Sequence, residues 1–588
     1  MVEPRFRWTF PPVGATVDAV VPDAAGPGLS ARLATLLATR GVLSREEQVA
    51  WFADPLAGLH DPGRLPDADR LVVRIGAARD RGERVMVFGD FDADGLTGLA
   101  IMTLALRRFG IDVMPYVPSR LDEGHGLSLA AVDAAVQHGA ALIITVDCGT
   151  TSVAEIAAAN GRGLDVIVTD HHRVPPLLPD AIAIVNPHRP DATYPDRRLA
   201  GSGVAFKVAQ LLLADEPGGP AAALDLADLA TIGSVADVAP IVGENRAIAR
   251  LGLERMRRAP RPGIAALLER AHVAPAAVDL ETVAFAIAPR LNAAGRVGEA
   301  LEAANLLLAG EPAEAARHAE ALEAANVTRR DLMKIAVAEA RAAVGDGGGE
   351  PATIVRGPWS VGIVGLVAAR LVEERGCPAV VGSDLGDVVR ASCRSDGSLD
   401  LGAALESCAD LFIRFGGHGG AAGFELPVER WDAFRERFLR LAAETAPPDP
   451  RISIAIDLAL PASDVDYGLY RELAGLAPTG PGNPDPLVAV LGLTVTRVRA
   501  ATGGHSQLTL RRDRDVLDGI AFGRSDIAEV VHEGDRLDVV ARLTSRRFGG
   551  FESLQLDIRD VATSGSHPRS AAILHGLNVR PALAGTAP

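Results

Sequence analysis

Three aspartates at alternate positions, Asp90, Asp92 and Asp94, close the apolar run in VFGDFDADGLTG. On an extended chain this spacing sets all three carboxylates on one side, within mutual repulsion distance, and a divalent cation relieves that repulsion. D-x-D-x-D-G also opens a calcium loop of the EF-hand kind, but the twelfth position, where a bidentate Glu would close the coordination, is Ile101. The residues before it read as a strand, so further ligands must come from farther along the chain. Taken alone, the triplet also reads as a solvated acidic turn whose aspartate caps the following helix.

Asp147 in TVDCGTTS, Asp170-His171-His172 in VIVTDHH and Asp237 in TIGSVADVAP are the other candidates. Imidazole beside carboxylate suits Mn(II), Zn(II) or similar ions. Each also has a plain reading, as a helix-leading turn, a surface turn and a helix-end residue respectively. Aspartates with one or two histidines and no cysteine describe a two-metal site. There, paired ions about 3.5–4 Å apart orient a water and stabilise the attacking and leaving oxygens of a phosphoryl displacement.

These residues need elements to hold them. From about Arg70 to Pro240, short β-branched runs alternate with Ala- and Leu-rich amphipathic stretches, the pattern of β-α units on a parallel sheet. ERVMVFGD, DVMPYV, ALIITVD, LDVIVTD and AIAIVN are the expected strands, and three of them end in Asp90, Asp147 and Asp170-His171-His172. Sites on open α/β sheets assemble beyond the carboxyl ends of strands, so these ends can meet in one crevice. From about Ile241 to Val344 the pattern is helical, ending in a long connecting helix and a GDGGG linker. A second α/β unit covers about Pro351 to Ala443, and APPDP separates it from short alternating strands, about Ile452 to Val561, expected to close as a small barrel or sandwich. The tail after Thr563 is expected to be disordered. The fold class is α/β multidomain.

At 588 residues the chain needs about three or four cores. A net charge of -16 argues against a basic, sequence-independent nucleic-acid wrapper but not against an enzyme with a local basic groove. Lys207 and Lys334 are the only lysines, so arginine supplies nearly all the positive charge. The four cysteines form no C-x-x-C pair, which disfavours a structural zinc site and a disulfide framework. MVEPRFRWTF lacks the apolar stretch of a signal peptide, and SVGIVGLVAARLV is broken by Arg370. A soluble cytoplasmic protein with no membrane association is expected.

GDFDADG, VDCGTTS, VTDHH and GSVADVAP resemble the four motifs of the DHH phosphoesterase superfamily, and Phe415 to Phe424, FGGHGGAAGF, resembles its associated DHHA1 domain. The order of parallel-sheet domain, long helix, smaller α/β domain and barrel resembles the superfamily's exonucleases that degrade single-stranded DNA from the 5′ end. VPSRLDEGHGL, APRLNAAGR, WSVGIVGLVAARLVEERGCP, RASCRS and LQLDIRD extend the match, which runs from about residue 20 to 562. The resemblance implies an N-terminal helical extension (1–69), a DHH domain (70–310), a connecting helix and linker (311–349), a DHHA1 domain (350–447), an OB-fold nucleic-acid-binding barrel (450–562) and a disordered tail (563–588).

It further implies two divalent ions, Mn2+ or Mg2+, held by Asp92, Asp94, Asp147, His171 and Asp237, with Asp90 and His172 in or beside that shell. His418 would touch the scissile phosphate, while Arg120, Ser392 and Arg394 would grip a 5′-terminal phosphate, for which a bidentate guanidinium is suited. Arg290, Asn292 and Arg296 of APRLNAAGR are expected to bind nucleic acid. The implied activity is hydrolysis of single-stranded DNA to mononucleotides in repair and recombination, by a monomer that a single-strand-binding protein or a helicase would assist. Phe522, Phe548 and Phe551 are candidates for a base-stacking platform on the barrel. The chain departs from the family pattern at Phe88, where some members carry a metal-binding His, at His125 for a usual Tyr, at Ser360 for a usual His and at Thr479 for a usual aromatic. Two other readings compete: a phosphoesterase for short oligoribonucleotides or cyclic dinucleotides, and a catalytically silent strand-binding scaffold.

Overall fold

The computed structural model describes residues 2–10, 30–120, 123–345, 349–445, 451–548 and 551–579. The chain divides into two compact units, residues 55–450, and residues 1–54 together with 451–588.

In the unit 55–450, β1 (Arg84–Gly89), β2 (Asp112–Tyr116), β3 (Ala140–Val146), β4 (Asp165–Thr169) and β5 (Ala183–Val185) form a parallel sheet in the order β2-β1-β3-β4-β5. Both faces are covered, which is why the strands read as nearly continuous apolar runs. Val85, Val87 and Ile144 enter one core, which includes α1 (Ala93–Arg108), whereas Met86, Phe88 and Ile143 enter another on the opposite face. The chain leaves β1 for β2 on one side and returns to β3 on the other, a reversal of order that opens a crevice at the carboxyl ends of β1 and β3. Two helices, α2 (Gly201–Leu213) and α3 (Ala227–Ala236), pack against α1 and against each other.

Farther along, α4 (Ala288–Val297) lies beside the 33-residue helix α5 (Pro312–Val344). A second sheet follows, with strands β6 (Thr353–Gly357), β7 (Ala379–Asp384), β8 (Val388–Arg394), β9 (Arg414–Gly417) and β10 (Ala421–Pro427) in the order β9-β10-β8-β7-β6. Only β6 and β7 pair in parallel. Helix α6 (Val361–Arg375), capped by the Ser360 hydroxyl, packs on β7 and β8.

In the other unit, β11 (Val488–Ala501), β12 (His505–Arg512), β13 (Asp515–Ala521), β14 (Arg536–Phe548) and β15 (Phe551–Thr563) run β11-β12-β13-β15-β14, and β11 pairs again with β14 to close a five-stranded barrel. Within the expected helical extension over 1–69, helices form at Ala31–Thr39 and Arg45–Phe52, residues 11–29 lie outside the described residues, and the first described residues hold a strand. Arg7–Thr9 is a strand paired with Ser453–Ala455, Trp8 donates its indole N–H to Asp560 at 2.8 Å, and Leu33, Leu36 and Leu37 enter the barrel core. Residues up to Asp54 thus belong with the barrel, and those from Pro55 with the parallel sheet. The segment after Thr563, expected to be disordered, forms a helix over Pro568–Val579, with Ile573 and Leu574 packed on the cluster around Trp8 and Phe10. Among the described residues, no helix is long and apolar enough to cross a membrane.

Candidate active site

The three aspartates of the first motif do not lie on one extended segment, because the chain turns into α1 at Ala93. Asp90 directly follows β1, Asp92 is the helix N-cap and Asp94 stands in the first turn. The Asp92 carboxylate accepts the N–H groups of Asp94 and Gly95, each at 3.0 Å, as a capping aspartate does. Gly95 is required by close approach, since a Cβ there would lie 2.5 Å from the Asp90 carbonyl oxygen. The first N–H groups of α2 hold Asp94, Gly201 at 2.7 Å and Ser202 at 3.0 Å.

Asp147, just beyond β3, has φ +62°, and Val238, the neighbour of Asp237, has φ +60°. Aspartate tolerates that region, but a β-branched residue there is a steric outlier, so the backbone at Val238 is strained beside the Asp237 carboxylate. His171 connects these groups. Its Nε2 lies 3.1 Å from Asp147 Oδ1 and 3.9 Å from Asp94 Oδ2, and its Nδ1 lies 3.9 Å from Asp237 Oδ2. Among the described residues, three sets of side chains offer ligand atoms within 4.8 Å of one another: Asp90, Asp92 and Asp147; Asp94, His171 and Asp237; and Asp147, His171 and His172. The first two share no residue, so the crevice contains material for two separate cation sites. The donor set of carboxylate oxygens with one imidazole suits Mn2+ or Mg2+. Asp147 Oδ1 and His171 Nε2 are also buried without a hydrogen-bond partner, which a bound cation would satisfy.

The electrostatics have the same origin. Burial, then Asp90 and Asp94, push the Asp92 carboxyl up to about 6. Burial, then Asp94 and Asp92, push Asp237 up to about 8, and Asp147 is driven well above the carboxylate range by burial and the surrounding acids. Burial lowers His171, which favours the neutral, ligating imidazole.

Asp170 has a different part. Its Oδ1 accepts the His171 and His172 N–H groups and lies 2.8 Å from His172 Nδ1, and its Oδ2 accepts the Thr150 N–H. Burial would raise this carboxyl, but the bonds from His172 and Thr150 and the His172 charge outweigh burial and hold it below its usual range. In return the Asp170 bond lifts His172 to about 9. Asp170 therefore orients the two histidines and stands outside all three ligand sets.

Arg120, Arg296 and Arg394 feel one another's charge. Burial, followed by Arg120, Arg329 and Arg394, pushes Arg296 down to about 9, and burial followed by Arg120 lowers Arg394. Ser392 Oγ and Arg394 Nη2 lie 3.4 and 3.1 Å from where a Cβ on Gly365 of α6 would stand. Arg296 donates to the Gly362 carbonyl at 2.9 Å. Such a set of half-buried guanidiniums is a place for an anion. Other expected nucleic-acid contacts have structural partners: Arg290 bonds Glu323 at 2.5 Å and the Ala286 carbonyl at 2.7 Å, pinning α4 to α5, and Asn292 accepts the Ala93 N–H at 2.8 Å, tethering the acidic loop. His418 is exposed on the hairpin after β9, accepts the Gly420 N–H at its own Nδ1 and lies outside the three ligand sets. The motif reading passed over Gly201 and Ser202, although GSG at a helix start was a visible signal, and Arg329, whose position on a long charged helix gave none.

Residues 84–234 match the DHH family, N-terminal domain, and residues 351–444 match the DHHA1 domain, so sheet and site define a DHH-class protein. Residues 456–560 match the RecJ OB domain. The chain is 34% identical to the single-stranded-DNA-specific exonuclease RecJ of Salmonella typhimurium over 90% of its own length and 95% of that protein's. It is 35% identical to that of Bacillus subtilis over 90% and 68% of the two chains. The crystal structure of RecJ in complex with Mn2+ from Thermus thermophilus superposes with a TM-score of 0.80 at 31% identity, covering 95% of this chain and 80% of the other. The Mg2+ complex from the same organism gives 0.74 at 30% identity, covering 95% and 78%. The chain belongs to the RecJ family of single-stranded-DNA-specific exonucleases.

Proposed function

We propose that this chain is a metal-dependent exonuclease that hydrolyses single-stranded DNA to mononucleotides from the 5′ end. The observation that carries the reading is the pair of disjoint ligand sets, Asp90, Asp92, Asp147 and Asp94, His171, Asp237, at the point where the strand order reverses. Asp92, Asp94, Asp147, His171 and Asp237 hold two Mn2+ or Mg2+ ions, and Asp90 completes the first set. When bound, the ions lower the pKa of an attacking water and neutralise charge on the phosphate. Asp147 offers a ligand atom beside Asp90 and Asp92 in one set and beside His171 and His172 in another, so it joins the two sites. Asp170 occupies His172 Nδ1 and leaves Nε2 to face a phosphate oxygen.

Arg120, Arg296, Ser392 and Arg394 grip the 5′-terminal phosphate and so set the register of cleavage. His418 contacts the substrate phosphate. On the barrel, a groove of about 280 Å³ lined by Arg497, Arg499, Gln507, Thr509, Arg546 and Gln555 holds the backbone of the strand. Phe522 is exposed with its ring edge-on to His505 at 5.1 Å, while the side chains of Phe548 and Phe551 lie outside the described residues. The enzyme acts as a cytoplasmic monomer in repair and recombination, on strands exposed by a helicase or delivered by a single-strand-binding protein.

The test is a product assay with Mn2+ on 5′-phosphorylated DNA, RNA and duplex DNA, for wild type and D147A. Release of 5′ mononucleotides from single-stranded DNA alone, lost in D147A, is expected. Binding without cleavage, or cleavage confined to dinucleotides and short oligoribonucleotides, would refute the proposal.

A further inference from the structure

His125 has no place in the ligand sets, yet it touches the acidic loop. It sits at the apex of a turn between Gly124 and Gly126, whose φ values of +79° and +85° belong to the left-handed region that favours glycine. Its Nδ1 lies 3.0 Å from Asp90 Oδ2, and the other oxygen of that carboxylate accepts the Phe91 N–H at 2.8 Å. The imidazole packs on the Phe91 ring with centroids 4.5 Å apart, and the Arg120 guanidinium carbon lies 4.9 Å from the centroid of the same ring. On its other side this turn is tied to the sheet by Glu123, which accepts the Tyr116 hydroxyl at 3.1 Å and the Ser119 N–H at 2.8 Å. The His125 side chain is 66% exposed, so its contacts are not those of a core residue.

We propose that His125 is a positioning residue: its Nδ1–H holds the Asp90 carboxylate in place, and its ring, through Phe91, holds the Arg120 guanidinium. One side chain thereby sets both a cation site and the grip on the terminal phosphate. The inference rests on the function proposed above, in which Asp90 faces a metal and Arg120 the 5′ end. Outer partners of ligating carboxylates act by fixing orientation, and their loss weakens metal binding by about 10–100-fold.

Three variants separate the two contacts. H125F keeps a ring on Phe91 without the donor, H125N keeps a donor near the Nδ1 position without the ring, and H125A removes both. Mn2+ binding to the DNA-free protein is measured by calorimetry, and kcat/KM is compared on strands with 5′-phosphate and 5′-hydroxyl ends. H125F and H125A are expected to bind Mn2+ about tenfold or more weakly, with H125N close to wild type. H125N and H125A are expected to lose preference for the phosphorylated end, with H125F retaining it. Wild-type Mn2+ affinity in H125F and H125A would overturn the tie to Asp90, and an undiminished end preference in H125A would overturn the tie to Arg120. A wild-type enzyme indifferent to the 5′ phosphate would refute the end grip itself, and the calorimetry would still decide the Asp90 contact.

Discussion

Asp147 Oδ1 stands 3.1 Å from His171 Nε2, and neither buried atom has a hydrogen-bond partner. A carboxylate and an imidazole at this distance with nothing between them are arranged for a third, positively charged partner. D147N removes the charge with little change of shape, and asparagine tolerates the +62° φ of this position. Activity is expected to fall by about two to three orders of magnitude, the scale of losing one preorganised electrostatic partner. The metal-free variant should melt higher than metal-free wild type, because Asp94, Asp92 and Asp90 no longer face a fourth acid. Calorimetry in a chelator, beside a nuclease assay, checks both.

The raised carboxyls link metal binding to pH. Asp92 at about 6 and Asp237 at about 8 in the folded chain compare with 3.8 for the ordinary aspartate. Between roughly pH 4 and pH 8 the metal-free folded protein therefore holds protons that the unfolded chain has released. The contribution of these two groups to its stability is fully present below about pH 4 and is lost as pH rises through the two folded values. Divalent ions replace those protons, so the rise in Tm on adding saturating Mg2+ should be larger at pH 8 than at pH 5.5. An equal rise at both pH values would contradict the linkage.

Asp170 holds His172 through a 2.8 Å contact and sets its pKa near 9. D170N turns one acceptor oxygen into a donor facing N–H groups, and the imidazole loses its orientation. The His172 titration, followed by NMR, should move from about 9 toward the ordinary 6.5. Activity should fall by about 10–100-fold, as for other outer partners of metal ligands.

The parallel sheet and its acidic strand ends were legible because both follow from local rules. β-branched runs mark strands, and strand ends at a reversal of order meet in space. Asp90, Asp147 and His171 converge for that reason. What could not be read depends on distant partners. The strand Arg7–Thr9 pairs with Ser453–Ala455, hundreds of residues away, and nothing local in RWT announces it. A cut near Pro448 intended to remove only the barrel would therefore also leave Trp8 and Leu36 without their core. Arg290 is picked out by its motif alone, and the motif does not announce that the register of α4 against α5 pairs it with Glu323. The tail composition suggested disorder, whereas over Pro568–Val579 a helix forms with Ile573 and Leu574 packed on an aromatic cluster, and residues 580–588 lie outside the described residues.

The barrel groove makes a prediction about salt. Arg497, Arg499 and Arg546 line it with two glutamines, a threonine, a serine, two leucines and one carboxylate, Asp518, which accepts the Thr509 hydroxyl, and Arg499 is held by Gln507 at 2.8 Å. Guanidiniums on a polar floor bind phosphates, and each phosphate neutralised on a single strand contributes about 0.7 to the slope of log K against log salt. R497A and R546A should weaken binding of poly-dT and mixed-sequence strands alike, with the slope reduced by about 0.7 for each guanidinium removed. Stacking on Phe522 predicts the reverse pattern for F522A, a weakening that varies with base composition at constant slope. Titrations of the two arginine variants and F522A at several salt concentrations, on strands of matched length, separate backbone grip from base stacking. Unchanged slopes in R497A and R546A would remove the groove from the path of the strand.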